Sequence, residues 1–215
     1  MTLFTATTFE RPIERPIAAS TLTELANAAW IAARALRTQA PAPLDTAAGE
    51  CFLLLLCPLN LTADSWAHLH RVAQVLRSEG GILSAIERST GGLWVAGARW
   101  AQASQCNVYL NLDLLTIDPH AQDWGDFKIK PEQVEVQRQE HTLKALFDES
   151  PALLVQVRKH ELTDVMRALR EAGLAQNAFT VGKPWPAPTG EAAKIEVYRD
   201  AKKQLSVAVA DLTMG

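Results

Sequence analysis

The segment Ile82–Leu93, ILSAIERSTGGL, decides the fold because it changes from a strand pattern to a helical pattern within a few residues. Its apolar first part, Ile82–Ile86, predicts a strand, and Gly91 and Gly92 predict a tight turn into a helix. Free backbone N–H groups at the start of a helix are a common position for phosphate, although such turns also occur without any ligand. The candidate phosphate-binding residues are Arg88, Ser89, Thr90, Gly91 and Gly92.

The sequence before this segment predicts an arm, a helix, a buried strand and a second helix. Two Arg-Pro steps within residues 1–20 favour an extended arm, because proline disfavours helix at and just before its own position. The run Cys51–Cys57 is short and continuously apolar, which is typical of a strand buried on both faces. The predicted elements are the arm at residues 1–20, a helix at residues 21–37, the strand at Cys51–Cys57, and a helix that begins near Thr62 and Asp64 and ends at Gly80 and Gly81.

The sequence after this segment alternates helical and strand patterns around one long polar stretch. Residues 113–140 are polar and contain two prolines, so we predict an insertion there, either a lid or a contact arm. The stretch Lys183–Pro188, KPWPAP, predicts a loop. The other predicted elements are helices at Leu93–Ser104, Leu143–Glu149 and Glu161–Ala172, and strands at Val108–Leu112, at Ala152–Val157, near Phe179, at Ile195–Tyr198 and at Leu205–Val209.

Composition and charge argue against several classes of function. The net charge of −3 and the pI near 6.0, with lysine and arginine scattered along the chain, predict no nucleic-acid partner. The apolar run at Cys51–Leu56 is too short to span a bilayer, so we predict no membrane association. Three cysteines without CxxC spacing, Cys51, Cys57 and Cys106, predict reduced thiols and a cytoplasmic protein.

Three segments, in the right order and spacing, carry a resemblance to a known family. The chain resembles the C-terminal domain of the aminoimidazole ribonucleotide synthetase superfamily, and specifically the version in large-type phosphoribosylformylglycinamidine synthase, a purine-biosynthesis enzyme. This resemblance implies an α+β fold (α/β-layered), with a mixed β-sheet and helices packed on it, as a single domain at residues 21–215. The segments are ERSTGGL at Glu87–Leu93, LFDESPALLVQV at Leu146–Val157 and LREAGLAQNAFTVGKP at Leu169–Pro184, with a fainter match, ALRTQ, at Ala35–Gln39.

The chain departs from the family pattern at the positions that carry chemistry. The family's histidine before the glycine turn falls on Ile86, which cannot exchange protons. A family aspartate becomes Thr90 and a helix glutamate becomes Arg99, which removes negative charge that a Mg²⁺ site needs. We therefore predict no catalytic residue and no metal site. The residual family carboxylates are Glu87, Asp148 and Glu149, which we expect to serve as helix N-terminal or hydrogen-bonding residues rather than to face each other across a cleft.

The resemblance also implies what a synthase would need besides this domain. In the family, a preceding N-terminal domain handles ATP and Mg²⁺, and a glutaminase domain supplies ammonia, so we expect no cofactor unless a partner provides that N-terminal domain. The preferred interpretation is a degenerate, stand-alone relative that is a phosphate- or nucleotide-binding or assembly module. The alternatives are one subunit of a split synthase and a purely structural or oligomerising protein. The expected partners are a second copy of the chain, a purine-pathway protein or a phosphorylated small molecule.

A few other residues are possible metal ligands or partner contacts by residue type alone. His68 and His70 lie two residues apart on a predicted helix, so they point to different faces and cannot share a metal. His120 with Asp118 and Asp123 matches no known ligand spacing. Two tryptophans, Trp124 and Trp185, fall in polar or proline-rich stretches and are candidate partner contacts.

Overall fold

The computed structural model describes residues 19–35, 41–117 and 131–213. In these ranges the chain forms one mixed sheet with helices packed on it, which confirms the predicted fold class. The strands are β1 (Cys51–Leu56), β2 (Ser84–Arg88), β3 (Asn107–Asn111), β4 (Ala152–Arg158), β5 (Ala178–Trp185), β6 (Lys194–Arg199) and β7 (Lys202–Ala208). The helices are α1 (Ala19–Ala35), α2 (Ala63–Ser78), α3 (Gly92–Ser104), α4 (Pro131–Phe147), α5 (Leu162–Glu171) and α6 (Val209–Thr213).

The sheet places β1 near its centre, with the order β2-β4-β1-β5-β3-β6-β7. Adjacent strands are antiparallel except β3 and β6, which are parallel. The predicted strand, helix and strand unit is present as β2, α3 and β3, but three other strands lie between β2 and β3 in the sheet. Helix α3 therefore crosses most of the sheet, and its nearly continuous burial follows from that position.

Strand β1 is buried on both faces, as its unbroken apolar sequence predicts. Leu53 and Leu55 belong to the larger core, which α1, α3, α4 and α6 cover. The alternate side chains, Leu54 and Leu56, belong to a second core that α2 and α5 cover. Period-two alternation thus sends one strand's side chains into two separate cores.

The helix ends follow the local signals in the sequence. Thr62 caps α2, and its hydroxyl accepts a hydrogen bond from Ser65 N. Gly80 and Gly173, just beyond α2 and α5, have φ of +83° and +76°, which glycine adopts without steric cost. Helix α1 begins at Ala19, two residues earlier than predicted, and residues 1–18 of the predicted arm lie outside the described residues.

Helix α4 corrects the prediction for the polar stretch. The predicted insertion at residues 113–140 is interrupted by a short 3₁₀ turn at Asp113–Leu115 and ends before Pro131, where α4 begins. Proline fits the first turn of a helix, and the glutamate, glutamine and arginine residues that follow are good helix formers. The sequence predicted a helix only at Leu143–Glu149, because α4 has few apolar residues in its first half and so lacks the amphipathic pattern that signals a helix there. Residues 118–130 lie outside the described residues.

Strand β5 corrects the prediction of a loop at Lys183–Pro188, because it continues through Trp185. Pro184 pairs with Val108 of β3, whereas the pairing of β5 with β1 ends at Gly182. The missing N–H of Pro184 therefore costs no hydrogen bond to β1. Leu53 pairs with Gly182 and Leu54 with Thr180, which leaves Val181 as an extra, bulged residue. Because of this extra residue, the side chains after Val181 point to the opposite faces of the sheet from those that strict alternation would give them.

Candidate functional site

The glycine turn between β2 and α3 packs against the end of α4, and we call this contact the joint. Gly91 and Gly92 are both buried, with φ of +82° and +66°. A Cβ atom on Gly92 would lie 2.6 Å from the Leu146 carbonyl oxygen and 2.7 Å from Phe147 backbone atoms. The backbone of the turn therefore touches the end of α4, and only a residue without a side chain fits that contact.

The chain's own carboxylate occupies the start of α3. Gly91 N donates a hydrogen bond of 2.8 Å to Glu149 Oε1, and Gly92 N donates one of 2.8 Å to the Ser89 carbonyl oxygen. A carboxylate beside the positive end of a helix dipole is stabilising. Of the predicted phosphate-binding residues, Ser89 is exposed and Thr90 is half-buried, while the two glycine amides already have acceptors.

Arg88, the cation of the same motif, is directed toward the loop between α4 and β4. Its side chain is only 5% exposed, and its terminal nitrogen lies 3.0 Å from Asp148 Oδ2. Arg88 Nε also donates a hydrogen bond of 2.7 Å to the Ser150 carbonyl oxygen, while Asp148 Oδ1 accepts one from Ser150 N. The structure thus brings the two family-like segments, Glu87–Leu93 and Leu146–Val157, together. Arg88 of the first segment pairs with Asp148 and donates a hydrogen bond to Ser150 of the second.

The third residual carboxylate, Glu87, lies elsewhere. It is exposed, and its Oε1 lies 3.5 Å from His70 Nε2 of α2. His70 also packs edge-on against Trp66, with ring centroids 4.3 Å apart. The other histidine of α2, His68, is within hydrogen-bonding distance of the Ala172 carbonyl oxygen, at 3.0 Å. The two histidines therefore contact different elements.

The positions that the resemblance assigns to a histidine and a helix glutamate hold Ile86 and Arg99. Ile86 is buried and belongs to the larger core. Arg99 of α3 is half-buried, and burial lowers the pKa of its guanidinium. Neither side chain supplies a proton acceptor near neutral pH, and neither attracts a divalent cation.

No group of three or more histidine, cysteine, aspartate or glutamate side chains within residues 19–35, 41–117 and 131–213 is placed to hold a metal ion. None of the helices described for this chain is both long and apolar enough to cross a bilayer. The weak candidates Asp118, His120 and Asp123 lie outside the described residues, as does Trp124. Trp185 is 56% exposed, as a partner or ligand contact requires.

The three cysteines are free thiols, and burial raises the pKa of each. Cys51 and Cys106 are buried, and Cys57 is half-buried. A raised pKa keeps a thiol protonated and poorly nucleophilic at neutral pH.

Cys106 makes the stability of the protein dependent on alkaline pH. Burial raises the pKa of its thiol from 9.0 to about 11, so the folded state keeps a proton that the unfolded state releases. The stabilisation is fully present below pH 9.0 and is lost as the pH rises toward about 11, at roughly 1.4 kcal/mol per pH unit. Denaturant unfolding on both sides of pH 9.0 measures this slope. Cys106→Ala should reduce this slope but not abolish it, because burial also raises the pKa values of Cys51 and Cys57. An unchanged slope in that variant would contradict the assignment.

The family model for "AIR synthase related protein, C-terminal domain" matches residues 65–188. This match covers more than half of the chain and includes the glycine turn, the Asp148–Glu149 segment and all of β5. The chain belongs to this family.

Solved structures show the same fold in much longer chains. Thermotoga maritima PurL complexed with ATP has a TM-score of 0.53 and 14% identity, over 76% of this chain and 25% of that chain. Thermotoga maritima PurL complexed with FGAR has a TM-score of 0.53 and 13% identity, over 81% of this chain and 29% of that chain. Phosphoribosylformylglycinamidine synthase II from Thermotoga maritima has a TM-score of 0.51 and 14% identity, over 81% of this chain and 27% of that chain. At this identity the likeness shows the fold alone, and this chain spans under a third of each of these neighbours.

The contact between the two family-like segments is the feature that sequence reasoning missed. The resemblance identified Glu87–Leu93 and Leu146–Val157 separately, and no spacing rule indicates that Glu149 reaches Gly91 or that Arg88 reaches Asp148. The one usable signal was charge: one arginine in the first segment and two adjacent carboxylates in the second.

Proposed function

We propose that this chain is a non-catalytic member of its family in which the glycine turn is a structural joint. It contributes a surface for assembly rather than a reaction centre. The observation that carries the proposal is the 2.8 Å hydrogen bond from Gly91 N to the Glu149 carboxylate. This bond places the chain's own anion where a phosphate group would otherwise lie.

Charge and geometry both oppose a phosphate at this turn. An incoming phosphate would have to displace Glu149 from Gly91 N, or else lie beside its negative charge. Arg88, the cation that would attract it, already pairs with Asp148. The proton-exchanging group that the family has at position 86 is replaced by a buried isoleucine. These points favour the structural interpretation over a phosphate-binding module.

A thermal-shift titration tests the proposal directly. We expect inorganic phosphate, ADP and formylglycinamide ribonucleotide, each with and without Mg²⁺, to leave the melting temperature of the wild-type protein unchanged. A ligand at 100 times its dissociation constant stabilises a fold by about 2.7 kcal/mol, which a melting curve resolves clearly. In Glu149→Ala the Gly91 amide is free, so millimolar phosphate should raise the melting temperature of that variant.

The matched control is Glu87→Ala, which removes an exposed carboxylate from the segment that contains the glycine turn without exposing a backbone amide. Phosphate should not stabilise this variant. A phosphate response in the wild type would contradict the proposal and support a phosphate-binding module. A Mg²⁺-dependent response to formylglycinamide ribonucleotide would instead support one subunit of a split synthase. If phosphate does not raise the melting temperature of Glu149→Ala, the Glu149 carboxylate does not occupy a position that phosphate could take.

A further inference from the structure

A cavity of about 410 Å³ lies at the end of β5, away from the glycine turn. Its volume is in the range of small-molecule sites in proteins. A smaller cavity of about 220 Å³ adjoins it, and Lys183 and Trp185 line both. We call the larger one the indole cavity; its wall includes Asp45, Glu50, Cys106, Lys183, Trp185 and Pro186.

The β5 bulge positions the two principal side chains of this cavity. Because Val181 is an extra residue that points into the larger core, Lys183 and Trp185 face the opposite side of the sheet, beside Tyr109 of β3. Lys183 Nζ lies 4.9 Å from the Trp185 ring centroid and 6.0 Å from that of Tyr109. The amine thus sits against an indole that is 56% exposed, and the two cavities share both groups.

The charge of the Lys183 amine can be compared with that of a neighbouring lysine, Lys203. Within the described parts of the chain, no carboxylate forms an ion pair with the Lys183 amine. Lys203, on the same side of the sheet, makes a similar contact with Tyr198 at 5.7 Å, but it also pairs with Glu196. The charge on Lys183 is therefore available to a ligand, whereas the charge on Lys203 is neutralised.

The other charged residues of the indole cavity limit the charge of a ligand. Glu50 pairs with Lys159 at 2.8 Å, and Asp45 Oδ1 accepts a hydrogen bond from Ala47 N. The Asp45 carboxylate lies in the wall of the cavity, so a multiply charged anion is repelled while a single negative charge is balanced by Lys183. An exposed indole beside proline rings favours a flat, apolar ring.

We propose that the indole cavity binds a planar aromatic carboxylate. Its ring packs on the Trp185 indole and the Pro186 ring, and its carboxylate pairs with Lys183 Nζ. This site does not involve the glycine turn, so the proposal stands or falls independently of the proposed function.

Three small probes test the proposal by isothermal titration calorimetry. The probes are 2-naphthoate, its neutral analogue 2-naphthylmethanol, and cyclohexanecarboxylate, which has the charge without the aromatic ring. We expect 2-naphthoate to bind saturably with a dissociation constant of about 1 mM or below, and the other two to bind at least several-fold more weakly. Binding of 2-naphthoate should weaken as salt is added, because an ion pair contributes to it.

Variants localise the binding to this cavity. Trp185→Leu should weaken 2-naphthoate binding by about tenfold, and Lys183→Met by about three- to fivefold. Lys203→Met is the matched control and should leave the affinity unchanged, since its amine already pairs with Glu196. Equal affinity for all three probes, no saturable binding of 2-naphthoate, or unchanged binding in both Trp185→Leu and Lys183→Met would overturn the proposal.

Discussion

Replacing Gly92 by alanine will lower the free energy of unfolding by about 3 kcal/mol or more. Two costs add at this position. The φ of +66° is strained for a residue with a Cβ, by about 1–2 kcal/mol. The new Cβ would also lie 2.6 Å from the Leu146 carbonyl oxygen, and forcing an extra carbon into a packed site costs about 1–3 kcal/mol. Chemical denaturation with an unchanged m-value measures the loss.

Gly49→Ala is the matched control for this prediction. Gly49 has a similar φ of +78°, but an added Cβ would meet nothing within 4 Å. Its substitution should cost only the backbone strain, about 1–2 kcal/mol. The difference between the two variants isolates the contact between the glycine turn and α4. Equal losses would contradict the close packing of that turn.

Arg88→Met will lower the free energy of unfolding by about 2–3 kcal/mol. Methionine keeps the apolar stem but loses the hydrogen bond to the Ser150 carbonyl oxygen and the pair with Asp148. Because the arginine side chain is 5% exposed, water cannot fully replace these interactions. The loss falls toward the lower end of the range for buried ion pairs, since Asp148 is 32% exposed and is partly rehydrated.

The control for Arg88 is Lys159→Met. Lys159 pairs with Glu50 at 2.8 Å, but both side chains are more than half exposed. Exposed pairs contribute about 0–1 kcal/mol, so this variant should be close to the wild type in stability. If Arg88→Met and Lys159→Met are equally mild, the buried network between the two family-like segments does not stabilise the joint.

These two variants test one structural idea, that the family-like segments remain because they hold each other in place. Gly92 lets the turn approach the end of α4. Arg88 holds the loop that follows α4 through its hydrogen bond to the Ser150 carbonyl oxygen. Glu149 then accepts the hydrogen bond from Gly91 N at the start of α3. A motif that binds phosphate would need its amides and its cation free, whereas a structural joint needs them paired within the chain.

The sequence predicted most elements because their signals are local. The apolar run of β1, the Thr62 cap of α2 and the glycine ends of α2 and α5 each depend on residues within one turn or one strand. The predictions failed where no such signal exists. Helix α4 begins with polar residues, and β5 runs through Pro184, which a strand tolerates only because pairing with β1 has ended.

The sequence by itself determined the family and the α+β fold, and it places Ile86, Thr90 and Arg99 where the resemblance expects proton-exchanging or acidic groups, because these features follow from residue identity and order. Only the tertiary structure decided how the remaining polar groups are used. The carboxylate of Glu149 reaches Gly91 N across 58 residues of chain, and a bulge at Val181 turns Lys183 and Trp185 to the same side as Tyr109. Both outcomes depend on strand register and on helix packing, which join residues far apart in sequence and which no local pattern specifies.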